Sequence, residues 1–173
     1  MSKEEEADLW NRYSCYLSRI VTELTEGEPV NQEYMSRKIA VTKKWNGLIA
    51  IDDFGAGYNS ETVLLDMAPD IIKVDMSLVQ RIHEDPNRQL ILNNILDFAG
   101  QNHITVLAEG VETKEELEFL IQCGVELFQG YYIGRPQMEI RPIDPYIVRK
   151  MQDFAQNRTF HRNSTGIYRM SML

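Results

Sequence analysis

The chain has 173 residues, enough for one domain with its own core and too few for two ordinary ones. A net charge of −8 argues against a nucleic-acid polymer as partner, but leaves room for a small anion held through a divalent cation. Two cysteines without CxxC spacing, Cys15 and Cys123, argue against a disulfide or zinc framework, and with no secretory h-region and no apolar run near the ~18 residues of a membrane span they suit the cytoplasm.

Residues 3–17 read as a helix, with Leu9, Tyr13, Tyr16 and Leu17 near helical spacing behind an acidic first turn. A short strand follows over 18–24, a loop marked by Gly27, Pro29 and Asn31, then a helix over 32–45. The run Leu48–Asp52 is apolar and ends in acid, as strands buried on both faces of a parallel sheet do. After a glycine-rich loop, Ser60 caps a predicted helix over 61–67, and 71–75 is the next strand. Asp85 and Pro86 start a helix that carries Leu90, Ile91, Ile95 and Phe98 on one side. Residues 104–109 form a strand. Thr113 and Glu116 make a capping box for a helix that Gly124 ends, 125–130 is the last strand, and a helix covers roughly 143–156. Alternating strands and helices predict an α/β fold with a parallel sheet and right-handed crossovers.

In such folds the functional groups gather at the carboxyl ends of the strands. Those ends carry Glu23 and Glu26, Asp52 and Asp53, Lys73 and Asp75, Glu109, and Gln129. One charged residue after a strand is ordinary loop chemistry; five in series behind apolar runs point to a site. Adjacent carboxylates at Asp52 and Asp53 repel unless a cation or donor lies between them, and oxygen ligands of this kind suit magnesium or manganese. Lys73, flanked by Ile71, Ile72 and Val74, must point into a polar cavity or a carboxylate cluster. Glu112 has an alternative use as a helix-start acid complementing the dipole. Carboxylates, metal and a lysine together fit hydrolysis of a phosphate ester in a metal-dependent barrel hydrolase.

The strings ELTE (23–26), IAIDDFGAGY (49–58), IIKVD (71–75), VLAEGVET (106–113) and LFQGYYIGRP (127–136) resemble, in order, the motifs of the EAL family of cyclic di-GMP phosphodiesterases. The resemblance runs from about Glu23 to Pro136. It implies a (β/α)8 TIM-type barrel that opens cyclic di-GMP to linear pGpG with Mg2+ or Mn2+. By motif, it implies Glu23, Asp52 and Asp53 as metal ligands and Glu26 as the glutamate steadying the catalytic loop. Lys73 and Glu109 would orient and deprotonate the attacking water, Gln129 would lie near the second metal, and Gly130 and Pro136 would touch the substrate. One departure is Tyr58-Asn59-Ser60-Glu61, where the family has small hydroxyls and then leucine, which bears on loop packing rather than on the metal site.

The family's Glu-Ala-Leu motif and the asparagine of its next strand are not found before Glu23; Glu6-Ala7-Asp8-Leu9 is interrupted and lies on a predicted helix. A barrel of this type takes at least about 200 residues. The expectation is therefore an incomplete (β/α)8 barrel of about five parallel strand–helix units, with an amino-terminal helix over 1–17, a partial domain over 18–156 and a polar tail over 157–173. Three explanations stay open: a fragment whose first strands are encoded elsewhere, a catalytically inactive regulator that binds cyclic di-GMP or a protein, or a homo-oligomer in which the amino-terminal segment rebuilds the missing part.

Overall fold

The computed structural model describes residues 2–25, 32–55, 64, 68–139 and 141–162. Within them, every predicted apolar run becomes a strand that pairs with the next one in the chain. The strands are β1 (Val21–Thr25), β2 (Leu48–Phe54), β3 (Ile71–Val74), β4 (Thr105–Ala108) and β5 (Leu127–Phe128). All neighbours are parallel and the order is β1-β2-β3-β4-β5. A doubly wound sheet reverses its order at a switch point, whereas a barrel adds each strand beside the last. The described sheet follows the barrel rule and stays open.

The helices are α1 (Lys3–Leu17), α2 (Gln32–Lys44), α3 (Met76–Val79), α4 (Pro86–Asn102), α5 (Lys114–Cys123) and α6 (Pro145–Arg162), with a 3-10 turn at Ile82–Glu84. None of the described helices is long and apolar enough to cross a membrane. The predicted helix over 61–67 lies outside the described residues except for Leu64, which is helical and buried.

Side chains alternate across a strand, so the pairing assigns each to a face. Leu24, Ile49, Ile51, Ile72, Val74, Val106 and Ala108 point to the helix side and are buried. Most of them join Leu92, Ile95, Ala99, Leu117, Leu120 and Ile121 of α4 and α5 in one core. Each fully buried aliphatic side chain contributes roughly 1.5–3 kcal/mol. The other face carries Val21, Glu23, Leu48, Asp52, Ile71, Lys73, Leu107 and Leu127. Val21, Leu48 and Leu127 on that face are exposed.

The caps follow the sequence. Asp85 Oδ1 accepts from the N–H groups of Asn87 and Arg88, Thr113 and Glu116 form the capping box, and Gly124 closes α5 at φ 97°. A cap of this kind is worth about 1 kcal/mol. Several details differ. Ser18–Ile20 do not extend: Arg19 and Ile20 N–H donate back to Tyr16 and Leu17, finishing α1, so β1 begins at Val21. On α1, Leu17 is buried but Tyr13 and Tyr16 are exposed. On α4 the buried stripe is Leu92, Ile95 and Ala99, while Leu90 and Ile91 face solvent. The last helix runs to Arg162, beyond residue 156, because neither proline nor glycine follows Pro145 until Gly166.

Candidate active site

Lys73 is the centre of the strand-end cluster. By pairing it shares the inner face with Glu23, Asp52 and Leu107. Its ammonium lies 2.7 Å from Asp52 Oδ1, 2.8 Å from Glu23 Oε1 and 3.0 Å from Glu109 Oε1. The lysine side chain is only 9% exposed, so it could not stay charged there without these partners. Burial works against its charge, but hydrogen bonds to Asp52, Glu23 and Glu109 outweigh it and hold its pKa above the ordinary lysine value. Three β strands and the loop after a fourth thus deliver one cation and three anions to the same place.

Strict alternation would send Asp53 to the face opposite Asp52. Two local features prevent it. The β2–β3 register shifts between Ile51 and Phe54, and Asp53 takes a left-handed φ of 56°. Gly55 follows at φ 101°, a conformation that costs glycine little. As a result Asp52, Asp53 and Glu109 each offer a carboxylate oxygen within 4.8 Å of the others. Three hard anionic oxygens at this separation, with Asp52 and Glu109 half-buried and Asp53 exposed, could hold a divalent cation. Glu109 responds to this crowding. Burial pushes its carboxyl up, Lys73 pulls it down, Asp52 and Asp53 push it up again, and the net shift is upward.

The remaining predicted residues are placed as follows. Gln129 directly follows β5; its N–H donates to Ala108 and its carbonyl accepts from Val111 N–H at 3.0 Å, which ties the β5 end to the Glu109 loop. Gly130 lies against the Val111 backbone, where a Cβ would come within 2.1 Å of the Val111 oxygen. Pro136 is exposed in the segment after β5. Glu26 lies outside the described residues. Glu112 starts the turn into α5, where its N–H donates to Glu116 Oε2 at 2.9 Å.

Reading by motif did not find Arg81 or the wider reach of Glu116. Arg81 N–H donates to Glu116 Oε1 at 2.8 Å, across 35 residues of sequence. Only the capping-box signature at Thr113 marked Glu116, and nothing in the sequence marked Arg81. Gly110, at φ 67°, is likewise a contact point: a Cβ there would lie 2.4 Å from Met76 Cβ.

A parallel sheet in chain order, with carboxylates around a lysine at its carboxyl edge, defines a barrel-type α/β protein with a strand-end carboxylate cluster. The chain belongs to the EAL domain family, whose family model matches residues 5–136. The match takes in most of α1 as well as the motif region from Glu23 onward. A probable cyclic di-GMP phosphodiesterase of Escherichia coli (strain K12), PdeG, is 42% identical over 118 residues, which is 68% of this chain and 23% of the relative. A standalone versatile EAL protein from Vibrio cholerae O395, solved in its c-di-GMP bound form, superposes with a TM-score of 0.73 at 37% identity, over 82% of this chain and 61% of that one. BlrP1 of Klebsiella pneumoniae, solved as a manganese and cyclic di-GMP complex, superposes with a TM-score of 0.70 at 33% identity, over 78% of this chain and 36% of that one. The chain therefore spans about a quarter of the length of PdeG, at 23%.

Proposed function

We propose that this chain carries part of the active site of a cyclic di-GMP phosphodiesterase, which hydrolyses the cyclic dinucleotide to linear pGpG. The observation that carries the reading is the placement of Lys73 among Glu23, Asp52 and Glu109, with Asp53 brought beside Asp52 and Glu109. Glu23, Asp52 and Asp53 would hold Mg2+ or Mn2+, which suits their hard oxygen donors. Such a cation, when bound, offsets the charge of the phosphate and lowers the pKa of water.

Lys73 orients the attacking water and keeps the carboxylates from repelling one another. Glu109, held 3.0 Å from Lys73 and beside Asp52 and Asp53, takes the water's proton. The water oxygen forms a bond to phosphorus, the P–O3′ bond breaks, and the leaving O3′ takes up a proton to give a free hydroxyl. Gln129, Gly130 and Pro136, on the segment that leaves β5, would line the dinucleotide's side of the site. Glu26 would brace the catalytic loop. Two thiols without a disulfide, Cys15 and Cys123, suit a cytoplasmic setting.

A second reading, a non-catalytic regulator that binds the same dinucleotide, is favoured by one observation. Glu23 is 52% exposed on β1, which among the described residues has a strand on one side only. Incubation of the purified chain with Mn2+ and cyclic di-GMP separates the two. Formation of pGpG, abolished by Glu109→Gln, supports hydrolysis. Saturable binding with unchanged dinucleotide supports the regulator, and neither result overturns both.

A further inference from the structure

Glu116 sits on α5, away from the Lys73 cluster, and is only 2% exposed. Among the described residues, no lysine, arginine or histidine side chain pairs with it. Its two oxygens are instead divided between two loops. Oε1 accepts from Arg81 N–H at 2.8 Å; Oε2 accepts from Glu112 N–H at 2.9 Å and Thr113 N–H at 3.0 Å. Arg81 follows β3 and α3, the segment that leaves the sheet directly after Lys73. Glu112 and Thr113 end the short turn that begins at Glu109.

The same two loops meet elsewhere. Glu109 N–H donates to Val74 O at 3.0 Å, and Gly110 packs so closely on Met76 that a methyl group would not fit. Arg81 adopts a left-handed φ of 55° without being glycine. Residues are held in such conformations when surrounding contacts over-determine them, and the Glu116 bond to its N–H is one such contact. A helix cap alone explains the bonds to Glu112 and Thr113. It does not explain a buried anion reaching to a loop 35 residues earlier.

We infer that Glu116 is a positioning residue: its buried carboxylate clamps the loop after β3 to the loop after β4, and so fixes Glu109 against Lys73 and Asp52. The inference deepens the reading of the site given above and rests on it for its consequence in cation binding. The clamp itself stands on geometry alone.

The test uses the full chain with Glu116→Ala, Glu116→Gln and, as a cap-only control, Thr113→Ala. Hydrogen exchange followed by mass spectrometry reports on residues 75–82 and 109–113, and the resonance of free Mn2+ reports cation affinity. Glu116→Ala is expected to speed exchange about tenfold in both segments, and to weaken Mn2+ binding about tenfold. Thr113→Ala is expected to loosen only the first turn of α5. Glutamine keeps one acceptor oxygen, so Glu116→Gln frees one segment and not the other; this variant carries the test where alanine prevents folding. Unchanged exchange in 75–82 with Glu116→Ala, or with Glu116→Gln in both segments, reduces Glu116 to a cap and overturns the clamp. Faster exchange with unchanged Mn2+ affinity overturns its bearing on Glu109. A wild-type chain that binds no Mn2+ counts against the cation reading of the site, and exchange then decides the clamp by itself.

Discussion

Lys73 Nζ stands 2.7 Å from Asp52 Oδ1, and the two residues lie two positions beyond the paired residues Ile71 and Ala50 of neighbouring strands. The ion pair is therefore a product of sheet register. Removing the lysine leaves carboxylates facing one another with no neutralising partner, a change that costs about 3–5 kcal/mol for a buried pair. We expect Lys73→Met to lower stability by an amount near the lower end of that range, because Glu23 is half exposed. Chemical denaturation measures it. Added Mn2+ should raise the melting temperature of the variant more than that of the wild type, since the cation restores the missing charge.

Asp52→Asn and Asp53→Asn should each weaken Mn2+ binding by about tenfold or more. The two should be similar, because both carboxylates belong to the same trio with Glu109. Free Mn2+ measured by electron paramagnetic resonance checks this. Equal affinity for wild type and Asp53→Asn would show that the left-handed turn at Asp53 serves the chain's path and not a cation.

Glu116 gives the pH dependence a definite sign. Burial raises its carboxyl, but hydrogen bonds from the N–H groups of Arg81, Glu112 and Thr113 outweigh it, and the net shift is downward. A depressed pKa in the folded state contributes stability above the unfolded value, about 4.3, and that contribution is lost as pH falls through the folded value. Glu116→Gln should therefore flatten the loss of stability below about pH 4.3, as read from melting temperature against pH.

Gly110→Ala and Gly130→Ala should both destabilise, by different routes. At Gly110 the added methyl strains a positive φ and meets Met76 Cβ at 2.4 Å. Trimming Met76 to alanine keeps that Cβ, so only Met76→Gly should relieve Gly110→Ala. At Gly130 the obstacle is the Val111 backbone, and no side-chain change should rescue it. Thermal melts of the single and double variants distinguish the cases.

The inner face of the sheet leaves Val21, Leu48 and Leu127 exposed, and β1 has one described neighbour. Open apolar sheet edges pair with other chains. Self-association that grows with concentration is expected in light scattering of the purified chain. A monomer with a cooperative, high melting transition would count against it.

Much of this architecture is legible in the sequence. The apolar runs that end in Asp52 and Glu109, and the one that encloses Lys73, mark strands of a parallel sheet, and the Asp85 and Thr113 caps mark helix starts, because these signals act over a few residues. The order of the strand ends along the chain also places the candidate groups at one edge, since parallel strands joined by crossovers all point the same way. What sequence alone left open depended on contacts between distant segments. Alternation would have separated Asp53 from Asp52; a register shift against β3 and a left-handed φ bring them together. Which side of α4 is buried was set by its packing partners, so Leu92 and Ala99 go inward and Leu90 outward. The sharing of Lys73 among three carboxylates, and of Glu116 between two loops, followed only once the sheet had aligned strands far apart in the chain. Local propensity decides which segments are strands and helices; register and burial, which are properties of the assembled sheet, decide which side chains meet.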